Sequence, residues 1–294
     1  MKHLKQLQIN RICRQMNAGL LSVWRIAKIA GVSPRWTRKI YAKYLLLGSP
    51  PVPEKCGRNP ALTPEFLRQK VIRSFHEVPG SALEMEQRLK RKGITLSHNR
   101  IHDVLREEKL AKREPKKSKT RKWVRYERHK ANSLWHADWK HLDGKHLILF
   151  EDDATRFIVG YGLFDQQTAE LSLQVFALAV ERFGVPRQLL TDNGSEFCNT
   201  HERKDDRHVF YGGVQRAGCT PIHTRTSHPQ CNGKLEKLNH TISRLYRHFG
   251  GDLDAAVAAY NEKKLHMSLN WKTPQEVWEA KTSKGLIYKK LTKT

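Results

Sequence analysis

Apolar positions at helical spacing dominate the first part of the chain. Val23, Ile26 and Ala30 are followed by the turn segment GVSP and by a second run, RWTRKIYAKYLLLG. A glycine in the turn, Ser33 as N-cap and Pro34 at the first helical position are typical of a helix-turn-helix. An ordinary helical hairpin has the same pattern, and the local positive charge favours the helix-turn-helix.

The second helix of such a motif is the one that contacts DNA. Its N-terminal part meets the base edges of the major groove. We therefore expect four residues at its start to bind DNA: Arg35, Trp36, Arg38 and Lys39.

A second helical unit follows a segment rich in proline and glycine, GSPPVPEKCGRNP, which is typical of a linker. In this unit Ser97 is the expected N-cap of a helix that carries Asn99 and Arg100. The pattern favours a second DNA-binding helical domain, with those two residues as candidate contacts.

From Leu134 onward the pattern changes to short apolar strands. WHADWKHL, HLILF and FIVGYGLF predict three strands, TAELSLQVFALAVERFG predicts a helix, and RQLLTD and CTPIHT predict two further strands. A long last helix is expected to begin near Gln230. The order β-β-β-α-β-α-β-α describes a mixed five-stranded sheet with helices on both faces, which is also the order of the ribonuclease H fold.

These patterns predict all-α helix-turn-helix domains followed by an α/β ribonuclease H-like core. The expected segments are a helix-turn-helix domain (1–50), a linker (51–62), a second helical domain (63–112), a basic linker (113–130), the core (131–250) and a C-terminal helical extension with a basic tail (251–294).

The net charge of the chain indicates its binding partner. The formal net charge is +25, of which residues 1–130 carry +22 and residues 131–294 only +3. An excess of this size is typical of a protein that binds nucleic acid, and double-stranded DNA is the expected partner. The segment AKREPKKSKTRKWVRYERHK is a solvated tether that also lies against phosphates in this interpretation. Its expected DNA contacts are Lys116, Lys117, Lys119, Arg121 and Lys122.

Other classes of protein are disfavoured. No stretch approaches the roughly 20 apolar residues of a membrane span, and the N-terminus lacks the apolar run of a signal peptide. The five cysteines form no C-x-x-C pair and no zinc-site spacing. We expect a cytoplasmic protein with reduced cysteines, associated with the nucleoid in a prokaryote.

Three carboxylates are the candidate catalytic and metal-binding residues. Asp138 lies inside the first strand between tryptophans, Asp192 ends the fourth strand in TDNGSEF, and Glu236 lies on the last helix. Singly, they could be a strand-edge charge, a turn residue and a partner of nearby lysines. Together, beside a basic helical strip containing Lys234, Lys237 and Arg244, they favour catalysis.

Phosphodiester chemistry explains the use of such a set. The attacking and leaving oxygens both develop negative charge, which two divalent ions about 3.5–4 Å apart can stabilise. Mg²⁺ or Mn²⁺, bound by carboxylate oxygens, is the expected cofactor.

Three sequence blocks carry a family resemblance. W-H-A-D-W, T-D-N-G-S-E-F and H-P-Q-C-N-G-K-L-E-K resemble the catalytic core of retroviral-type integrases and insertion-sequence transposases. The tail, with Tyr260-Asn261, His266 and Thr273-Pro274, resembles the end of such transposases. The resemblance implies Asp138, Asp192 and Glu236 as the metal-binding triad.

The resemblance also implies a function. It implies an enzyme that cuts at element ends and joins 3′ hydroxyls to target DNA, acting as a homo-oligomer. Residues before the last helix, where the family has a loop that meets DNA, are expected contacts: His228, Gln230 and Asn232.

Two departures and two alternatives accompany this hypothesis. The interval of 44 positions from Asp192 to Glu236 is longer than usual, with the surplus expected in an irregular segment at 201–213, and the retroviral N-terminal zinc module is absent from the sequence. A catalytically inactive or domesticated DNA-binding regulator, or a ribonuclease H-like nuclease, would share many of these features. Asp152 and Asp153 are interpreted as turn residues.

Overall fold

The computed structural model describes residues 4–53, 63–111, 127–199, 206–223 and 233–288. The chain divides into two compact units, Met1–Leu62 and Thr63–Thr294. The segment expected to form a second helical domain therefore lies in the same unit as the sheet. None of the helices in the described ranges is long and apolar enough to span a membrane.

The first unit contains three helices around a small apolar core. These are α1 (Gln6–Ala18), α2 (Val23–Ala30) and α3 (Pro34–Leu47). Ile12, Ile26 and Ile40 meet at their centre. The backbone N–H of Trp36 donates to Ser33 Oγ at 3.2 Å, and Gly31 has a φ of 68°, as expected for the cap and the turn.

The second unit begins with three more helices, α4 (Glu65–Glu77), α5 (Ala82–Arg91) and α6 (His98–Glu107). Val71, Met85 and Ile101 are completely buried between them.

The sheet follows, and it confirms the predicted mixed topology. Its strands are β1 (Trp135–Leu142), β2 (Lys145–Asp152), β3 (Ile158–Phe164), β4 (Gln188–Thr191) and β5 (Thr220–His223). They lie in the order β3-β2-β1-β4-β5. The first three form an antiparallel meander, whereas β4 runs parallel to both β1 and β5.

Helices cover both faces of this sheet, as predicted. One face packs against α7 (Ala169–Phe183) and α8 (Val209–Arg216), and the other packs against α9 (Gly233–His248) and α10 (Leu253–Ala258). Successive strand residues alternate between faces. Ala137 and Trp139 join the α7 side and Leu142 joins the α9 side, so Asp138 points toward α9.

Helix α8 differs from expectation. Residues 209–213, expected in the irregular segment 201–213, already belong to this helix. Two glycines allow the close approach: a Cβ on Gly212 would collide with the Asp206 carbonyl, and one on Gly213 would lie 2.6 Å from the Leu173 side chain. Most of the described part of the expected insertion is therefore packed structure.

The tail closes over the edge of the sheet. It consists of a π-helical turn (Ala259–Lys263), a 3₁₀ turn (Met267–Leu269) and α11 (Pro274–Ser283). Asn261 pairs with the backbone of Ile158, accepting from its N–H at 2.9 Å and donating to its carbonyl at 3.1 Å. Tyr260 donates to Glu151 at 3.2 Å. The Tyr260-Asn261 pair thus attaches the tail to β2 and β3.

The helical segment 63–111 docks onto the core through buried polar contacts. Glu84 of α5 accepts from Lys264 at 2.7 Å and from the Leu265 N–H at 3.3 Å, and Arg88 donates to it at 3.1 Å. Val78 is fully buried in the α9 cluster.

We expect Glu84→Ala to lower the free energy of unfolding by about 3–5 kcal/mol, because it leaves the Lys264 and Arg88 cations buried without their carboxylate. Urea unfolding would measure the loss. Arg91→Ala is the matched control, since Arg91 and Glu276 form an exposed pair across the same interface at 2.9 Å, and it should cost less than about 1 kcal/mol. Equal losses would contradict a buried electrostatic anchor.

Candidate active site

Strand pairing brings two of the three predicted carboxylates together. His136 of β1 lies opposite Leu190 of β4 in a parallel register. Asp138 lies two residues further along β1, and Asp192 directly follows β4, near enough for its charge to act on Asp138. The two aspartates therefore lie close together where β4 ends.

Their proximity has an electrostatic cost. Burial, with the neighbouring charge of Asp192 as the next cause, raises the pKa of Asp138 to about 6. A buried carboxylate beside a second carboxylate resists ionisation unless a cation compensates it.

The turn after β4 adds a carboxylate that sequence reasoning missed. The Gly194 N–H donates to Asp192 Oδ1 at 3.0 Å, and Glu196 folds back over the glycine, with Oε2 2.7 Å from where a Cβ would lie. Burial and the charge of Asp192 raise the pKa of Glu196. The spacing within TDNGSEF was the available signal, because a tight turn can bring residues four apart close together.

Helix α9 reaches the aspartate pair through Asn239, another residue missed by sequence analysis. Its Nδ2 donates to Asp138 Oδ2 at 2.8 Å, and its buried Oδ1 accepts no hydrogen bond. Glu236 lies three residues earlier, about 60° away around the helix, with an exposed side chain. The i, i+3 spacing was the signal that could have found Asn239.

The described residues fit a hard divalent cation only in part. Asp138, Asp192 and Asn239 Oδ1, which accepts no hydrogen bond, are oxygen donors of the kind that Mg²⁺ and Mn²⁺ prefer. Within the same described ranges, however, no three His, Cys, Asp or Glu side chains are grouped closely enough to hold a metal ion. Glu236, in the first turn of α9, is thus not grouped with the two aspartates in this part of the structure.

A comparison with protein families identifies this part of the chain. The model of the integrase core domain matches residues 128–229. This segment is therefore similar to integrase core domains. The resemblance carried by the sequence blocks is thus confirmed, together with the ribonuclease H-like class of the core. The matched segment contains Asp138 and Asp192 and ends before Glu236.

Individual relatives are distant. The ORF3 protein of Spiroplasma virus SpV1-C74, an inferred integrase, is 26% identical over 152 residues, which are 45% of this chain and 42% of that protein. The match thus spans less than half of the curated relative.

Solved structures show weak similarity. The catalytic core of BIV integrase is 20% identical with a TM-score of 0.43, covering 52% of this chain and 99% of that one. The simian T-cell lymphotropic virus intasome is 17% identical with a TM-score of 0.46, covering 66% and 70%. The HTLV-2 integrase core in complex with magnesium is 16% identical with a TM-score of 0.41, covering 50% and 97%. The integrase core family as a whole is metal-dependent and transfers polynucleotide strands.

Outside the integrase core, the structure describes some of the residues that were expected to contact DNA, and these lie on exposed helix surfaces. Lys39 Nζ lies 5.7 Å from the centre of the Trp36 ring. The exposed set consists of Arg35, Trp36, Arg38 and Lys39 on α3, with Asn99 and Arg100 on α6. Eight others lie outside the described residues: Lys116, Lys117, Lys119, Arg121, Lys122, His228, Gln230 and Asn232.

The basic strip predicted on α9 has three different environments. Lys237 is exposed. Arg244 donates to the Pro79 carbonyl of the docked helical segment at 3.2 Å. Lys234 is half-buried and donates to Asp153. The helix thus uses two of its three predicted DNA-binding cations in contacts within the protein.

We expect Asp138→Asn to raise the free energy of unfolding at pH 8 by about 2–3 kcal/mol in metal-free buffer with EDTA. The pKa of Asp138 is higher in the folded state than in the unfolded state, so the wild type loses stability as the pH rises from about 4 to about 6. Urea unfolding at pH 4 and pH 8 measures this difference.

The gain should vanish at pH 4, where the carboxyl is mostly protonated. Asp143→Asn is the control: Arg247 lowers the pKa of this exposed carboxyl through a hydrogen bond, so its loss should give no gain at pH 8. An equal gain for Asp138→Asn at both pH values would rule out the electrostatic cause.

Proposed function

We propose that this protein is a DNA transposase of the integrase superfamily, which cleaves element ends and transfers the resulting 3′ hydroxyls into target DNA. The observation that carries the proposal is the juxtaposition of Asp138 and Asp192, with Asn239 reaching the pair from the helix that bears Glu236.

The proposed division of roles follows from the contacts. Asp138 and Asp192 hold the divalent ions, with Glu236 supplied from the first turn of α9. A bound pair of Mg²⁺ or Mn²⁺ ions would activate the attacking oxygen and stabilise the leaving one. Asn239 holds one oxygen of Asp138 through its amide N–H and thereby fixes the carboxylate that would bind an ion. The Gly194 N–H fixes Asp192 in the same way.

The proposed partner is double-stranded DNA, both the terminal repeats of an element and its target. The excess of positive charge in residues 1–130 supports this partner, as do the exposed Arg35 and Arg38 on α3. Joining two element ends to one target requires at least two active sites, so we propose a homo-oligomer on DNA.

Asp192→Asn tests the catalytic assignment. On a duplex carrying an inverted repeat identified in the DNA beside the gene, strand transfer in Mg²⁺ should fall by about 1,000-fold or more, because one ion would lose a ligand. Binding of the same duplex, measured by fluorescence anisotropy in Ca²⁺, should stay within about threefold, as the overall electrostatic attraction is kept.

Surviving strand transfer would overturn the assignment. Asp165→Asn, which changes an exposed carboxylate beside Lys145, is the control and should remain active. Preferred cleavage of RNA–DNA hybrids or four-way junctions would instead identify a nuclease. Binding without any cleavage by the wild type would identify a regulator.

Arg38→Ala tests the proposed DNA-binding role of α3. We expect weaker binding of the repeat duplex. The slope of the logarithm of the binding constant against the logarithm of the salt concentration should fall in magnitude by about one, because one phosphate-neutralising cation is lost. Arg14→Ala, on the exposed side of α1, is the matched control. Equal effects of the two substitutions would show that α3 has no special part in binding.

A further inference from the structure

A buried carboxylate outside the aspartate pair connects the two elements that carry the catalytic residues. Asp153, which follows β2, is completely buried. Its Oδ1 accepts from His136 Nε2 of β1 at 2.9 Å and from Lys234 Nζ of α9, and its Oδ2 accepts from the Arg128 N–H at 2.6 Å. The sequence predicted turn residues at Asp152 and Asp153. Asp153 does lie in the turn after β2, whereas Asp152 is the last residue of β2 and accepts from the N–H and hydroxyl of Thr155.

The charges in this cluster favour a permanent ion pair. Burial alone would raise the pKa of Asp153, but hydrogen bonds from His136 and Lys234 outweigh it and lower the pKa. His136 donates through Nε2, and its buried Nδ1 has no hydrogen-bond partner. Lys234 donates directly to the Asp153 carboxylate, and the Arg156 guanidinium lies 3.9 Å from the same oxygen.

His136 and Lys234, which both donate to Asp153, each lie two residues before a proposed catalytic carboxylate. His136 precedes Asp138 by two positions on β1, so both side chains lie on the sheet face that α9 covers. Lys234 precedes Glu236 by two positions in the first turn of α9. Asp153 thus joins the strand of one catalytic carboxylate to the helical turn of another.

Apolar packing alone would leave the position of α9 along the sheet weakly specified. Leu235, Leu238 and Ile242 bury one side of the helix, but hydrophobic contacts are non-directional. Directional contacts lie on each side of Glu236 in the sequence: Lys234 with Asp153, and Asn239 with Asp138. A slide of the helix by one turn, about 5.4 Å, would break both contacts.

We propose that Asp153 and Lys234 are positioning residues that hold Glu236 in place relative to Asp138 and Asp192, and that Lys234 acts here rather than as a DNA contact. This inference rests on the proposed catalytic function of Glu236. It replaces the expectation that Lys234 belongs to a DNA-binding strip.

The test combines Lys234→Met, Asp153→Asn and the double variant, assayed for cleavage of the flanking-repeat duplex. Each single change should lower kcat about 10- to 100-fold, with KM for the duplex within about twofold, because misplacement by about 1 Å costs rate of this order. The double variant should be no worse than the worse single variant, since both changes break the same contact.

A second readout does not depend on catalysis. Calorimetric titration of the DNA-free protein with Mn²⁺ should show weaker binding in both single variants, in the direction of Glu236→Gln. Lys145→Met, which removes an exposed lysine that pairs with Asp165 at 3.7 Å, is the matched control and should match the wild type in both assays.

A DNA-contacting role for Lys234 predicts the opposite effects of the two substitutions. If Lys234 contacts DNA, Lys234→Met will raise KM and reduce the salt slope by about one while Asp153→Asn has no effect, and the proposal is overturned. Thermal unfolding identifies an Asp153→Asn protein that fails to fold, in which case the Lys234→Met variant, at a partly exposed position, decides alone. A wild-type kcat for Lys234→Met alongside an inactive Asp192→Asn would overturn the positioning role and leave the proposed function intact.

Discussion

The parallel pairing of β1 with β4 is the constraint on which the rest of the site depends. It brings Asp138 of β1 close to Asp192, which follows β4 more than fifty residues later in the chain, so the charge of Asp192 opposes the ionisation of Asp138. Neither carboxylate is neutralised by a lysine or arginine contact among the described residues, and Asp138 is instead held by an amide. The fold thus retains an electrostatic repulsion that a better-stabilised protein would have removed, which is common where function requires a bound cation.

Helix α9 combines two tasks that use different sides of the same sequence. Its leucines form one wall of the core, while Asn239 and Lys234 form polar contacts with the sheet. Polar groups at such an interface cost stability unless they are paired, but they specify one arrangement where apolar contacts would tolerate several. The buried cluster at Asp153 therefore adds geometric definition beside a site where small displacements matter.

Much of this architecture could be predicted from the sequence because it depends on local patterns. The short apolar run around Asp138 predicted a strand, and Ser33 predicted a helix start, where its hydroxyl accepts the Trp36 N–H as expected. Contacts that depend on tertiary position were not predictable in this way. A helical wheel groups Lys234, Lys237 and Arg244 on one strip, but it cannot show that Asp153 and the Pro79 carbonyl lie opposite two of them. Asn239 was not predicted for the same reason, because its contact with Asp138 depends on how far along the sheet α9 lies.

Docking of α5 against the tail has a consequence for the cooperativity of folding. Glu84 lies between cations from both segments, and Val78 completes the apolar cluster beneath α9. Helices 63–111 and the sheet therefore share buried surface, so they should unfold as a single unit. A fragment cut to the limits of the integrase core would expose this surface and leave Lys264 without its partner. The smallest fragment in which the sheet folds on its own should accordingly begin near Thr63, which makes the helical segment part of the scaffold of the candidate site.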